Sequence, residues 1–265
     1  MYIEEALCFA AAKIGRRDAM LLLTHATGKS SAYIMLHPHE SMGNDQEFLH
    51  NVQRAEMGEP LQYIIGQWEF MGRAVKTDTR ALIPRPETEL LVEEALKFLE
   101  TRGDGASVLD MCTGSGCIAA AVASAGYSVT AADISADALS LAQENGDGLG
   151  IVFVQSDLFA NMAATDALFD VIISNPPYIT ESEMEALAPT VRKYEPHLAL
   201  YGGQDGMDIY RRLIPESLSY LKPGGALYLE IGPSDVGHIM IESGFANVKI
   251  LQDYAGIDRI VYGKK

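Results

Sequence analysis

This chain of 265 residues has the composition of a soluble globular protein, with 48% hydrophobic and 21% charged residues. Its 36 acidic and 20 basic residues give a net charge of −16, which argues against free DNA or RNA as a substrate, because phosphate binding depends on Lys and Arg. It has no apolar run of about 18 residues, no basic signal-peptide start, and no Cys-x-x-Cys pair among its three cysteines. We therefore expect a cytoplasmic monomer without a membrane span, disulfide framework or metal site, which acts on a protein partner.

Helical periodicity dominates the first part of the chain. Apolar residues recur at helical spacing in residues 3–14, 18–27 and 45–57, and Gly28 is of the type that ends helices. No residue pattern in this region is typical of catalysis. We predict a helical domain over residues 1–60, which is either a packing module or, as we favour, a substrate-recognition domain.

The pattern changes after Pro60. Residues 61–72 are rich in β-branched and aromatic residues separated by glycines, which is typical of a β-hairpin. We predict a β-hairpin linker over residues 61–83. The next stretch, Ile-Pro-Arg-Pro-Glu-Thr-Glu at residues 83–89, leads into an amphipathic helix that reaches Leu99. Its glutamates suit the dipole at a helix start, and its prolines and arginine suit the wall of an active site equally well.

From Ser107 onward, short β-branched runs alternate with helical segments, as in a doubly wound parallel sheet. Strands are predicted at residues 107–111, 128–132, 151–154, 169–174, 226–231, 248–251 and 259–262. Helices are predicted at residues 117–125, 135–145 and 207–220, with another ending near 243. This alternation predicts one α/β, Rossmann-like domain over residues 84–265.

The loop after the first strand of this domain carries a candidate cofactor site. It consists of Cys112, Thr113, Gly114, Ser115 and Gly116. Asp133, at the end of the second strand, can hold ribose hydroxyls, and Asp157 with Leu158 can contact an adenine amine and ring. Residues 114–119 also satisfy the G-x-G-x-x-A form of a dinucleotide fingerprint, so NAD stays open. Asp110 favours S-adenosylmethionine, because its carboxylate would repel a pyrophosphate but can bind a cationic amino-acid end.

A second candidate site, Asn175-Pro176-Pro177-Tyr178, follows the buried strand at residues 169–174. The prolines stiffen the loop and offer no N–H, so the side-chain oxygen of Asn175 and the carbonyl of Pro176 remain as acceptors beside Tyr178. Two acceptors near an aromatic ring suit a planar NH₂ group of an amide or an exocyclic amine. The alternative is that these residues only end the strand in a tight turn.

These motifs resemble those of class I S-adenosylmethionine-dependent methyltransferases that modify planar nitrogens. Residues 83–89 and 194–200, with Gly202-Gly203 and Asp205-Gly206, are similar to one branch, the HemK-type release factor glutamine methyltransferases. The resemblance implies a helical N-terminal domain and a seven-stranded sheet whose last strand is antiparallel. It also implies methylation of the glutamine in the Gly-Gly-Gln loop of class I peptide chain release factors.

The same resemblance assigns roles to residues. Asn175 and the Pro176 carbonyl would accept the two amide hydrogens, with Pro177 beside them and Tyr178 packed on the flat face of the amide. Asn175 would also contact the cofactor. The rival functions are an amino-methyltransferase acting on adenine or guanine, a ribosomal-protein glutamine methyltransferase, an NAD-dependent oxidoreductase and a non-catalytic binding module.

Overall fold

The computed structural model describes residues 1–103, 105–162, 168–232 and 235–265. Its helices are α1 (Ile3–Ile14), α2 (Arg16–Thr27), α3 (Ser31–Leu36), α4 (Asp45–Glu56), α5 (Leu61–Ile65), α6 (Pro86–Glu100), α7 (Cys117–Ser124), α8 (Ala136–Asn145), α9 (Glu181–Ala186), α10 (Pro189–Tyr194), α11 (Asp208–Tyr220) and α12 (Val236–Ser243). Its strands are β1 (Gln67–Phe70), β2 (Arg73–Lys76), β3 (Ser107–Met111), β4 (Ser128–Asp133), β5 (Val152–Gln155), β6 (Phe169–Ser174), β7 (Leu221–Glu230), β8 (Ala246–Gln252) and β9 (Asp258–Lys264). Within these described ranges, no helix combines the length and apolar character needed to cross a membrane.

Two compact units make up the fold. The first contains Met1–Gln67 and Ala188–Tyr194, and the second contains Trp68–Leu187 and Glu195–Lys265. In the first unit, α1 to α5 enclose an apolar cluster that includes Leu22 and Phe48. Gly28 ends α2 in the left-handed conformation, with its N–H donating to Thr24, as predicted from the sequence.

One prediction in this region is wrong. Leu61–Ile65 forms the helix α5 rather than an extended strand, and the hairpin begins only at Gln67. The buried side chain of Ile64 packs into the helical cluster, and Gly66 closes the turn with a φ of 76°. Burial therefore overrides the β propensity of this segment. The hairpin itself turns at Met71 and Gly72, whose positive φ values of 50° and 71° match a two-residue turn with the twist of its strands.

The second unit is built on a seven-stranded sheet of order β5-β4-β3-β6-β7-β9-β8. β3 to β7 are parallel, and β9 runs antiparallel to both of its neighbours, so the predicted sheet with an antiparallel last strand is confirmed. All residues of β6 are buried, as the uninterrupted apolar run predicts for a central parallel strand. The strand order reverses between β3 and β6, and the carboxyl ends of strands at such a switch point form the usual ligand crevice.

Candidate active site

A cleft of about 230 Å³ lies in the second unit at the carboxyl ends of the parallel strands. Nine of the residues predicted from sequence line it: Cys112, Thr113, Gly114, Ser115, Asp133, Asp157, Leu158, Asn175 and Pro177. The fold therefore brings together side chains from loops that follow four different strands. Four further predicted residues, Asp110, Gly116, Pro176 and Tyr178, lie outside the lining of this cleft.

The glycine loop is shaped by close packing against α8. A Cβ added at Gly116 would lie 2.8 Å from the Cβ and 2.9 Å from the Cα of Ala142, and its φ of 76° also favours glycine. Gly116 thus lets the loop pass over α8, whereas the loop residues 112–115 line the cleft. The N–H of Thr113 donates to the carbonyl of Ala132 at 3.0 Å, which ties the loop to the neighbouring strand β4.

Asp110 is buried in β3 and is part of the loop's own framework. Its Oδ2 accepts hydrogen bonds from the Thr113 hydroxyl at 2.5 Å and from the Ala119 N–H at 3.0 Å. Its Oδ1 is buried and has no hydrogen-bond partner within the described ranges. Burial raises the pKa of this carboxyl to about 7, although both hydrogen bonds oppose the shift. An unpartnered buried oxygen next to the glycine loop fits a ligand that brings a cationic donor.

The carboxylate of Asp133 is held in place by backbone N–H groups. Its Oδ2 accepts from the N–H of Gly114 and its Oδ1 from the N–H of Ser135, each at 2.9 Å. Burial raises its pKa above the usual value, and the backbone donors oppose this. A carboxylate fixed in this way in the cleft keeps further lone pairs for two neighbouring hydroxyls, such as those of a ribose.

Asp157 and Leu158 reach the cleft from the end of β5. Asp157 pairs with Arg212 of α11 at 2.9 Å, with both side chains about half exposed, at 48% and 47%. Leu158 is buried, has a positive φ of 48° and lines the cleft. Sequence reasoning missed Arg212, because nothing near it in the chain indicates that α11 borders this crevice.

The side chain of Asn175 has a fixed partner. Its Nδ2 donates to the hydroxyl of Thr88 at 3.2 Å, and that hydroxyl donates to Oε2 of Glu230 at 2.6 Å. Both Thr88 and Glu230 are buried, and burial raises the pKa of Glu230 to about 7. Thr88 belongs to the motif at residues 83–89 but was given no role of its own from the sequence. Glu230 was not singled out, although a glutamate at the end of the apolar run of β7 was an available signal.

The four residues Asn175-Pro176-Pro177-Tyr178, here called the tetrad, pack closely against two glycines. A Cβ at Gly202 would lie 2.6 Å from the Cα of Tyr178 and 2.7 Å from the carbonyl oxygen of Pro177. A Cβ at Gly232 would lie 2.7 Å from the ring of Tyr178. The ring therefore packs on Gly232, and burial raises the pKa of its hydroxyl to about 12. Gly202 therefore serves the site through this close approach, whereas a Cβ at Gly203 would meet the carboxylate of Asp208.

A buried carboxylate joins two other motifs. Glu195 accepts from the N–H of Ile83 at 3.3 Å and from Nη2 of Arg85 at 2.6 Å. Ile83, Pro84 and Arg85 line the cleft, so this stretch forms part of its wall as well as the approach to α6. In the part of the chain that the structure describes, no group of three or more His, Cys, Asp or Glu residues is arranged to hold a metal ion.

Comparison with known proteins gives a consistent result. Residues 4–66 match the family model "PrmC N-terminal domain", and residues 86–202 match "Methyltransferase small domain". A protein of Koribacter versatilis named release factor glutamine methyltransferase is 41% identical over 258 residues, which cover 94% of this chain and 91% of that protein. A protein of the same name from Deinococcus radiodurans is 36% identical, with 100% and 99% covered.

Comparison with solved structures finds a protein with a similar fold. The 16S rRNA N2 G1207 methyltransferase of Thermus thermophilus, in complex with AdoMet and guanosine, matches with a TM-score of 0.54 and 18% identity. The match covers 75% of this chain and 49% of that one. At this identity the likeness concerns the fold alone, which is that of a class I methyltransferase, as expected from the strand order.

Proposed function

This chain belongs to the release factor glutamine methyltransferase family, and on that premise we propose that it methylates the side-chain amide of the Gly-Gly-Gln glutamine in class I peptide chain release factors. The observation that carries the proposal is the state of Asn175. This residue lines the cleft, and its Nδ2 is already bonded to Thr88, so its Oδ1 remains as an acceptor for a substrate N–H.

The methyl donor is S-adenosylmethionine, whose sulfonium supplies an electrophilic methyl group. The residues that would hold it are Asp110, Cys112, Thr113, Gly114, Ser115, Gly116, Asp133, Asp157, Leu158 and Asn175. Asp133 suits the ribose diol, the unpartnered oxygen of Asp110 suits the cationic amino-acid end, and Asp157 suits the adenine amine. Gly116 contributes through the shape of the loop, since it packs on α8.

The residues of the tetrad act on the methyl acceptor. An amide nitrogen is a weak nucleophile because its lone pair is delocalised into the carbonyl. Asn175 Oδ1 and the Pro176 carbonyl accept the two amide hydrogens, which stabilises positive charge developing on nitrogen and aims its lone pair. Such positioning contributes roughly 7–11 kcal/mol to lowering the barrier, and a preorganised polar contact about 2.7–4 kcal/mol.

Two residues complete this site. Pro177 lines the cleft, where it would lie beside the acceptor amide. The ring of Tyr178 packs on Gly232, so we propose that it acts mainly by fixing the loop that carries both acceptors. No strong general base is required, because the proton can leave the nitrogen after methyl transfer.

Mass spectrometry of a release factor incubated with enzyme and labelled S-adenosylmethionine tests the function. The expected result is one added methyl on the Gly-Gly-Gln glutamine, with no label on a release factor whose glutamine is replaced by glutamate. Parallel reactions with DNA, RNA and a ribosomal protein test the rival acceptors. Label in any of these, with none on the release factor, would overturn the proposal.

We also propose that the helical domain recognises the protein substrate, that the protein acts in the cytoplasm as a monomer, and that free nucleic acid is not a partner. The net charge of −16 supports the last point.

A truncated chain tests whether the helical domain recognises the protein substrate. It should begin at Trp68, because Phe70 and Val75 of the hairpin are buried in the core of the second unit and must be kept. This truncated chain should bind S-adenosylmethionine normally. Relative to the full chain, its kcat/KM should fall much more on intact release factor than on a short glutamine peptide. Equal losses on both substrates would argue for a purely structural domain.

A further inference from the structure

A chain of two hydrogen bonds runs from the end of β7 to the tetrad. Glu230 is the last residue of β7, Thr88 lies in the first turn of α6, and Asn175 directly follows β6. The Thr88 hydroxyl lies 2.6 Å from Oε2 of Glu230 and 3.2 Å from Nδ2 of Asn175. Glu230 and Thr88 are 2% and 3% exposed, so solvent does not compete for these bonds.

The chemistry of the three groups determines the direction of both bonds. An ionised carboxylate can only accept, so the single hydroxyl hydrogen of Thr88 must point to Glu230. The hydroxyl oxygen then has only lone pairs left for Asn175, and these require a donor. Asn175 must therefore turn its NH₂ toward Thr88, and its Oδ1 faces away from that residue.

We propose that Thr88 and Glu230 are positioning residues, which hold the Asn175 carboxamide so that its oxygen, and not its NH₂ group, faces the methyl acceptor. The inference rests on the proposed function for the identity of the acceptor. It extends that function by assigning roles to two buried residues outside the tetrad and the glycine loop.

The orientation matters because the two ends of a carboxamide are nearly equal in shape and opposite in polarity. With the oxygen toward the cleft, Asn175 accepts a hydrogen from the acceptor's NH₂ group. With the amide reversed, two donors would face each other, and the acceptor nitrogen would be neither held nor stabilised as charge develops on it. Nothing in the shape of the side chain selects between these states, so a hydrogen-bond partner has to do so.

Protonation of Glu230 would remove the selection. A neutral carboxyl can donate to Thr88, which frees the threonine hydrogen to point at Asn175 and allows the amide to reverse. Burial raises the pKa of Glu230 to about 7, while the Thr88 hydrogen bond opposes the shift. The charged and titratable groups around this carboxyl are Arg85, Glu87, Cys117, Tyr178, Tyr210 and Arg259. Arg85 and Arg259 are themselves hydrogen-bonded to Glu195 and Asp253.

Substitution of Thr88 separates hydroxyl chemistry from packing. Thr88→Val keeps the shape but removes the hydroxyl, and should lower kcat by about tenfold or more while the Kd for S-adenosylmethionine, measured by calorimetry, changes less than about twofold. Thr88→Ser should restore most of kcat. Thr101→Val is the matched control, because Thr101 follows the same helix and its hydroxyl donates to the carbonyl of Phe98. Equal kcat for Thr88→Val and wild type, or equal losses for valine and serine, would overturn the proposal.

The pH profile gives a readout that a merely structural role would not move. With both substrates saturating, wild-type kcat should fall as the pH drops below about 7, the pKa of Glu230. In Glu230→Gln, this acid limb should disappear. Persistence of the same limb in Glu230→Gln would contradict the assignment.

A nitrogen NMR measurement separates this inference from the proposed function. The side-chain NH₂ signal of Asn175, identified by its loss in Asn175→Ala, should shift across the pH range in which Glu230 titrates. That shift should be absent in Glu230→Gln and in Thr88→Val. If wild-type enzyme methylates no release factor but the signal behaves in this way, the proposed function fails and the positioning role stands. If the wild-type enzyme methylates release factor but the signal does not depend on pH, the proposed function stands and the positioning role fails.

Discussion

Two buried carboxyl groups, one beside the glycine loop and one behind the tetrad, have similar hydrogen bonds and pKa values, but their hydrogen-bond partners come from very different distances along the chain. Asp110 and Glu230 each accept a hydrogen bond from a threonine, and burial raises the pKa of each to about 7. Asp110 takes its threonine from 3 residues away and a backbone N–H from 9 residues away. Glu230 takes its threonine from 142 residues away.

This difference separates two kinds of preorganisation. Asp110 is held by groups no more than 9 residues away, and its loop is also tied to β4, the next strand along the chain, through Ala132 and Asp133. The orientation of Asn175 depends on three elements that meet only in the complete sheet. We therefore expect substitutions in the loop to affect mainly cofactor binding, and substitutions around the tetrad to affect mainly the rate of methyl transfer.

The largest expected effect comes from Asn175→Ala. Loss of one preorganised contact to the transition state should lower kcat by about 10²–10³. The Kd for S-adenosylmethionine should change much less, because the glycine loop and Asp133 remain. Steady-state kinetics and calorimetry on the same preparation check both halves. An unchanged kcat would show that Asn175 has no part in the mechanism, and would contradict the division between cofactor binding and methyl transfer.

Asp133→Ala should give the complementary result. Its carboxylate is held in the cleft by the N–H groups of Gly114 and Ser135. Loss of charged hydrogen bonds to the cofactor, worth about 1.5–3 kcal/mol, should raise the Kd for S-adenosylmethionine by roughly 10- to 150-fold. At saturating cofactor, kcat should fall far less than in Asn175→Ala. An unchanged Kd by calorimetry would show that the ribose lies elsewhere.

Asp110→Asn sharpens the comparison through pH. The folded-state pKa of Asp110 is raised from 3.8 to about 7, so the folded protein binds this proton more tightly than the unfolded chain does. Its contribution to stability is therefore present below pH 4 and is lost as the pH rises toward 7, by an amount on the order of 4 kcal/mol. Denaturant unfolding between pH 4 and 8 should show a smaller loss of stability in Asp110→Asn than in wild type. Parallel curves for the two proteins would mean that Asp110 stays ionised throughout.

Cofactor affinity offers a milder effect at the same residue. A ligand with a cationic donor beside the unpartnered Oδ1 of Asp110 favours the ionised carboxylate, so binding should strengthen modestly as the pH rises through about 7. Asp110→Asn should bind S-adenosylmethionine more weakly at pH 8 and with less dependence on pH. An identical pH dependence in variant and wild type would assign the proton to another group.

Much of this structure could be predicted because it is local. The buried run of β6, the N-cap serine of α8 and the glycine loop with its two acids are recognisable from spacing alone. The helix Leu61–Ile65 was missed because its β propensity is overruled by burial in the helical cluster. The helices α9 and α10 were also missed, since six-residue helices give little periodicity.

The contacts around the tetrad escaped prediction for a different reason. Thr88 sits in a stretch whose acidic residues already have an explanation as first-turn charges, so its hydroxyl drew no attention. Its meaning depends on Glu230 and Asn175, which are distant in the chain and become neighbours only through the order of β6 and β7. Glu195, which holds Arg85, is hidden in the same way.

The double variant Asp133→Ala/Asn175→Ala tests the division of the cleft most directly. The two side chains share no hydrogen-bond partner among the described residues, since Asp133 is held by backbone N–H groups and Asn175 by Thr88. If they act on cofactor and acceptor separately, the loss in kcat/KM should equal the product of the two single losses, within about twofold. A double variant no worse than the more damaged single variant would show that both residues serve one step, and would contradict the account.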